Sequence, residues 1–487
     1  MQTLINVLIH LDWDLTWWTV LLLAAELLAL FTIPSVLMQR RGQPMGALSW
    51  TLGLIAAPFF GVLAWWLIGR SHLERKKRRR ASARGKICRG FGALRPQAGQ
   101  PSAEQWPGHL PVENFPALHA AGVFPPLPAA SLSVYQDGTA AYAALERLIE
   151  GAGHHVHALF YIWERDRVGA RFRDLLAEKA RSGVKVRGLL DAFGSSGALG
   201  SFMDPLRQAG GQVAAFSPTK FLRRSLTLNF RNHRKILVAD GVSAYTGGLN
   251  VGEAYTRDWR DLGLVLAGPV VAHLQEVFAD DWLFATGEDL ADRDYMPSFL
   301  PIPKAPTACA IIAGGPDSPY NATHDAFFMA VTRARQRVFI TTPYLAPTQA
   351  VETALRTAVY RGADVRLLVP SRSDVPLARL AGRSYYPRLL QAGIRVFEYR
   401  PAILHEKLWI IDDGLTVVGS ANLDNRSFKL NFEISCFIWN RELNDGLARG
   451  FLRDLGDSRE VTLRQVESEG YLQRLGEAAM NLLSPLL

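Results

Sequence analysis

The stretch HRKILVAD at 233–240 recurs in its spacing, on a different apolar background, as HEKLWIID at 405–412. Both read H-x-K-x-x-x-x-D, and both run on into a small-residue turn ending in Asn, GGLN after the first and GSAN after the second. The agreement continues at one constant separation along the chain: Gly248 answers Ser420, Asn250 answers Asn422, and Asp261 answers Glu433. A single copy fixes few positions and is weak. Two copies, with an acid at the same offset, mark a duplicated folding unit. The flanks agree as well. HHVHALFYIW, a helical run ending AEKARSG and then VKVRGLLD parallel RQRVFITTPYL, a run ending RTAVYRG and then ADVRLLVP. LRQAGGQVAAFSP and LLQAGIRVFEYRP then precede the two motifs. Apolar strands alternating with helical runs predict β-α-β units and a mostly parallel sheet in each half, an α/β fold class, with halves over 131–300 and 301–487.

A chain of 487 residues, 48% of them apolar, can build large cores and is not disordered. The cysteines, Cys88, Cys309 and Cys436, lie far apart without metal-ligand spacing, so neither a disulfide framework nor a metal site is expected. The net charge of +9 is local. Between Arg70 and Arg89 stand ten Lys or Arg and one acid, Glu74, which accounts for the whole excess. One basic run, RKKRRR at 75–80, beside apolar sequence suits a membrane surface better than a nucleic-acid partner, which a globally basic face would suggest.

Two apolar segments, 15–38 and 46–69, precede that run. Each would reach roughly 35 Å as a helix, against a hydrocarbon core of about 30 Å. The expectation is a transmembrane hairpin over 1–69, with Trp13, Trp17, Trp18, Trp65 and Trp66 near its ends as interfacial anchors. Asp12 and Asp14 precede the first segment where a cleaved leader would carry basic residues, so the hairpin is expected to stay attached. Glu26 lies mid-span, where a charge is costly; protonation, pairing within the hairpin or an assembly contact would each relieve it. From 70 to 130 the chain is basic and then rich in Pro and Gly, and reads as a connector.

The paired motifs suit phosphoryl transfer without a metal. His233 and His405 can act as nucleophile and acid/base at phosphorus, while Lys235 and Lys407 supply positive charge for phosphate oxygens. Asn250, Asn422 and Ser420 add donors, and Asp261 and Glu433 are the acids that would fix the ring tautomers. Asp240 and Asp412 complete the motif but end apolar strands, a position that suits turn closure. Arg223, Arg224 and Arg231 stand just before the first motif, either near a phosphate entrance or in a solvated loop.

RNHRKILVADGVSAYTGGLNVGEAY, WRDLGLVLAGPVV, the DW at 281–282, TTPYLAP and LHEKLWIIDDGLTVVGSANLDNRSFKLNFE resemble the phospholipase D superfamily. Within it, the chain from hairpin to terminal LLSPLL is similar to membrane-anchored bacterial cardiolipin synthases. That resemblance implies two α/β halves in a pseudo-twofold pair with the site between them. It implies catalytic His233, Lys235, Asp240, His405, Lys407 and Asp412, supported by Asn250, Asp261, Ser420, Asn422 and Glu433. By the same analogy His233 is the nucleophile and His405 the acid/base. The implied reaction joins two phosphatidylglycerol molecules into cardiolipin and glycerol through a phosphatidyl-histidine, with no cofactor, no metal and no nucleic-acid partner. A phospholipase D-type phosphodiesterase, or a transphosphatidylase with another acceptor, would use the same residues. The chain departs from many members in carrying Leu262 and Gly263 where a histidine often follows the RD of the first half.

Arg40 and Arg41 stand in the short loop of the hairpin, and ten basic residues follow its second segment, so the bulk of the chain is expected on the cytoplasmic face of a bacterial cell (inner) membrane. A reporter active only in the cytoplasm is expected to work when fused after Leu487 and to be silent near Gln43. The opposite pattern would refute the charge assignment.

Overall fold

The computed structural model describes residues 2–42, 44–69, 85, 87, 90–91, 124–216, 230–295, 307–318 and 320–482. The RKKRRR run, most of the connector, Cys88, Arg223 and Arg224 lie outside them. The N-terminal hairpin and the larger body are separate compact units.

In the hairpin the first apolar segment lies within one helix, α1 (Gln2–Gln39), whose 17–39 portion is long and apolar enough to cross a membrane. The second segment is not a single helix. Pro58 lacks an N–H and drives Ala57 out of helical geometry (φ −143°, ψ 73°), which divides the segment into α2 (Pro44–Ala56), α3 (Pro58–Ala64) and a π-helical turn, Trp65–Gly69. Gly61 permits the bend, because a Cβ there would stand 2.7 Å from the Gly53 carbonyl oxygen. Among the described helices only α1 is by itself long and apolar enough to span. Trp65 is not an interfacial anchor: it is fully buried, donates to Ser35 Oγ at 3.3 Å and meets Trp50 edge-on at 5.3 Å. Glu26 is exposed on α1, and no described residue pairs with it.

The body contains two sheets with matching strand order. In the first half the order is Ser131–Tyr135, Gly263–Ala267, Ser243–Gly247, Ile236–Ala239, His155–Phe160, Lys185–Asp191, Gln212–Phe216. In the second, Thr307–Gly314, Asn431–Trp439, Leu415–Gly419, Leu408–Ile411, Arg337–Thr341, Asp364–Pro370 and Arg395–Tyr399 follow the same path. The expectation of mostly parallel sheets is corrected here. Along these two strand paths only the strands joined through helices, such as His155–Phe160 to Lys185–Asp191 across Arg167–Arg181, run parallel. The motif strands reverse at tight turns and pair antiparallel. Leu127–Ala129, inside the stretch read as connector, is a strand on the edge of the second sheet.

The sheets face each other across one continuous apolar core. Ile236, Val238 and Leu264 from the first sheet meet Leu408, Ile410 and Ile434 from the second, with Phe278 of the helix Val271–Thr286 and Phe451 of the helix Arg441–Gly456 filling the space. Each sheet buries its other face under its own helices. Cys309 and Cys436 are buried in this fold as free thiols. The stacking brings the two motifs together.

Asp240 and Asp412 stand at the far ends of the motif strands, away from the histidines, and do not join a site. Both adopt positive φ (55° and 49°) at the strand-reversing turns. The Asp240 carboxylate accepts from the N–H groups of Gly153, His154 and His155, all at 2.8 Å. Asp412 does the same for Arg335, Gln336 and Arg337 at 3.0, 2.7 and 3.2 Å. Asp240→Ala and Asp412→Ala are each expected to cost about 2–3 kcal/mol in denaturant unfolding, with activity per folded molecule largely kept. Activity lost without lost stability would return these aspartates to the site.

Candidate active site

The two motif histidines are each docked on the opposite half. The short strand Arg231–Asn232 pairs in parallel with Asn431–Phe432, and His233 N–H donates to the Phe432 carbonyl at 2.9 Å. By the same geometry Ile403–Leu404 pairs with Trp259–Arg260, and His405 N–H donates to the Arg260 carbonyl at 2.7 Å. One residue past each docking strand stands the acid. Glu433 Oε2 therefore meets His233 Nδ1 at 2.9 Å, and Asp261 Oδ2 meets His405 Nδ1 at 2.6 Å. The carbonyl of Ser420 lies 3.1 Å from the same His233 nitrogen. At His233 both partners only accept, which places the hydrogen on Nδ1 and leaves Nε2 with its lone pair, and at His405 Asp261 favours the same tautomer.

The lysines lie beside the rings. Lys235 Nζ donates to the His233 carbonyl at 2.7 Å and sits 5.4 Å from the Tyr161 ring centroid. Lys407 Nζ bonds the His405 carbonyl and lies 3.4 Å from Asp261 Oδ2 and 2.6 Å from His405 Nδ1, so ring and ammonium compete for one carboxylate. Burial pushes His233 down to about 4, with Lys235 and Lys407 adding to the effect and Glu433 opposing it. Burial likewise pushes Lys235 down to about 7 and holds His405 and Lys407 below their usual values, with Asp261 opposing both shifts. Burial would raise Asp261 and Glu433, but the facing cations win and hold both carboxylates low. The result is a neutral His233 imidazole in a site biased toward an anion.

The two halves are not identical. Ser420 Oγ donates to Glu433 Oε2 at 2.5 Å. At the matching position a Cβ on Gly248 would stand 1.9 Å from Asp261 Oδ1, so the shorter acid fills the space that a side chain occupies in the other half. Ser420 thus orients an acid and gives its proton to no ligand. Asn250 is also committed to scaffold, donating to Tyr255 Oη at 2.7 Å and accepting from Ile162 N–H at 3.0 Å. Asn422 donates to Asp424 Oδ2 at 3.2 Å, and its Oδ1 is buried without a hydrogen-bond partner among the described residues.

Sequence reasoning missed a second layer. Arg234, fully buried within the first motif, shares its Nη1 between the two carboxylate oxygens of Asp281 at 2.9 and 2.8 Å and also donates to the Glu433 and Gly314 carbonyls. Its counterpart Glu406 carries the opposite charge and meets Arg260 at 3.0 Å, which in turn pairs with Asp454 at 2.6 Å. A charged residue at the x of H-x-K was the available signal. Arg231 is buried, with its guanidinium 4.0 Å from the Phe193 ring centroid, which excludes the solvated-loop reading for that residue. Aromatic rings flank the histidines, Tyr161 at 4.9 Å from His233 and Trp259 at 4.7 Å from His405.

Two α/β units that each give a histidine and a lysine to one buried site define a phospholipase D-like protein. The family described as "Cardiolipin synthase, PLD-like domain" matches residues 145–282 and 328–455, and "Phospholipase_D-nuclease N-terminal" matches 27–70. The chain belongs to the cardiolipin synthase family of phospholipase D-like enzymes, and is a membrane-associated enzyme of the phosphatidyltransferase class. It is 35% identical over 455 residues to "Cardiolipin synthase" of Geobacillus thermodenitrificans, covering 91% of this chain and 89% of that one. It is 35% identical over 474 residues to "Cardiolipin synthase A" of Pseudomonas entomophila, covering 95% of each. The solved phosphatidylserine synthase of Haemophilus influenzae shares the fold, with a TM-score of 0.60, 14% identity, and coverage of 77% of this chain and 100% of that one.

Burial and Lys407 hold His405 low, and Asp261 is the group that chiefly opposes them. Asp261→Asn should therefore move the high-pH limb of kcat/KM to lower pH and reduce the rate at neutral pH by about 10²–10⁴-fold. Glu433→Gln should slow the reaction without moving that limb. A limb that stays in place with Asp261→Asn would break the assignment of this acid to His405.

Proposed function

We propose that the enzyme transfers a phosphatidyl group from one phosphatidylglycerol to a hydroxyl of a second, giving cardiolipin and glycerol. The observation that carries this reading is the crossed pairing of two buried histidines with acids of the opposite half, each beside a lysine. In the first step Nε2 of His233 attacks phosphorus, the bond from phosphorus to the glycerol headgroup breaks, and His405 gives the leaving oxygen its proton. The arriving phosphodiester is an anion, so it offsets the lysines and raises the proton affinity of both rings. In the second step His405 takes the proton of the incoming glycerol hydroxyl, its oxygen bonds to phosphorus, and the phosphorus–nitrogen bond breaks. Lys235 and Lys407 compensate the charge on the phosphoryl oxygens throughout.

Lipid relatives by name, a spanning helix and the basic run at 75–80 support a lipid substrate over nucleic acid. The two apolar segments at 15–38 and 46–69 and the basic residues that flank them favour a multi-pass anchor in a bacterial inner membrane, with the catalytic body on the cytoplasmic side. Asp240 and Asp412 take no part in this chemistry, and Asn250, Ser420 and Asn422 act through the groups they position.

The test is incubation of the purified full-length enzyme with labelled phosphatidylglycerol and identification of every lipid and water-soluble product. Cardiolipin and glycerol are expected in equal amounts, with a trapped lipid adduct on His233 that His233→Ala removes. Phosphatidic acid in place of cardiolipin would make the enzyme a phospholipase D-type hydrolase. An adduct on His405 would reverse the two roles.

A further inference from the structure

The last described helix, Tyr471–Asn481, presents an apolar face that no described residue covers. Tyr471, Leu472, Leu475 and the C-cap Leu482 are 70%, 80%, 50% and 81% exposed, and Ala478 and Ala479 between them are exposed too. At about 100° per residue these six fall on one continuous arc. The opposite arc is fastened to the body. Glu477 accepts from Arg383 Nε at 2.8 Å, and Arg383 also bonds Glu398 at 2.7 Å and Glu469, which fixes the helix against Pro376–Arg383. The helix is therefore held with its apolar side outward.

A polar cavity of about 630 Å³ opens at the C-terminal end of the same helix, where Asn481 lines it together with Thr353, Arg356, Arg388, Asn425 and Lys429. Arg388 pairs with Glu352 at 3.1 Å, whereas Arg356 and Lys429 pair with no carboxylate among the described residues. The cavity thus holds a surplus of positive charge and several neutral donors, the complement of a phosphate group. The flanking helix Pro376–Arg383 also exposes Leu377 (48%) and follows Asp374, which accepts from Tyr344 Oη at 2.7 Å. The Tyr344 ring lies 6.1 Å from that of His405, so this surface adjoins the catalytic site.

We propose that this face docks on an anionic phospholipid leaflet, with the cavity taking a phosphate headgroup and the apolar arc of Tyr471–Asn481 lying at the acyl boundary. Separately arranged, an apolar arc or a basic cavity would fit many ligands; adjoining along one helix, they match a molecule that carries a phosphate and acyl chains together. The occupant is at hand, because α1 keeps the chain at a membrane. Such docking is a contact of the catalytic body itself, additional to the hairpin, and it orients the site mouth to the leaflet.

The experiment places a fluorophore at Leu475→Cys in the full chain with Cys88→Ser, in vesicles of phosphatidylglycerol brominated in the acyl chains. The same label at Tyr360→Cys, 71% exposed at the far end of the helix Gln349–Tyr360, is the control. Quenching at 475 and not at 360 is expected. Arg356→Gln with Lys429→Gln should lower the ratio of quenched to unquenched probe about fivefold for each charge removed. Equal quenching at both labels overturns the docking, and unchanged quenching in the double variant overturns the headgroup site. Loss of quenching on adding inorganic phosphate at matched ionic strength would make the cavity a free-phosphate site and sink the proposal. Shielding of the 475 probe in detergent that grows with protein concentration would assign the face to a second copy of the chain instead.

Discussion

Each motif histidine is held by the half of the body that does not supply it. Its backbone N–H is committed to a carbonyl of the opposite half, and its Nδ1 to a carboxylate one residue further on. Neither half alone would orient its own imidazole, because the acid in its own sequence serves the other ring. Separating the halves would part Glu433 from His233 and Asp261 from both His405 and Lys407, and breaking a buried charged pair is strongly destabilising. Folding, docking of the halves and assembly of the site are thus coupled through the same few bonds.

The charge arrangement follows from that geometry. Two lysines and two imidazoles share a dry space with two carboxylates, so burial and mutual repulsion lower the proton affinity of the basic groups. A cavity with this bias favours an anion before any substrate contact is made. The departures from twofold symmetry are small but chemical. Glu433 is steadied by Ser420, whereas Asp261 occupies the space left by Gly248. Arg234 and Glu406 likewise anchor the two motifs through opposite charges. Two unlike environments around two like residues are what division of labour between a nucleophile and an acid/base requires.

The hairpin and the last described helix are each held by different means. In the hairpin, Ala29, Val36, Leu54, Val62 and Trp65 hold the helices to one another while many other Leu, Phe and Trp side chains face outward. At the other end, a cluster of arginines and glutamates fixes the polar side of Tyr471–Asn481 and leaves its apolar side uncovered. The first pattern suits immersion in hydrocarbon. The second suits residence at a surface.

Much of this was legible in the sequence. The constant separation between His233 and His405, Lys235 and Lys407, and Asp261 and Glu433 revealed a duplicated α/β unit and its reactive residues, since repeated spacing and strand-helix alternation are local properties of a chain. Other features needed the fold. Asp240 belongs to the motif by spacing but to a turn by its bonds to three backbone N–H groups. The sheets are mixed because the motif strands reverse at tight turns and only the strands before them cross over through helices. Trp65 is interior because the break at Pro58 folds its ring back toward Ser35 and Trp50. Above all, an identical offset from histidine to acid in both halves cannot distinguish pairing within a half from pairing across them. The sequence determined which residues form the repeated set, because their types and intervals are fixed along the chain. Only the tertiary structure decided which acid serves which histidine, because that depends on the surfaces that two separately folded sheets present to one another.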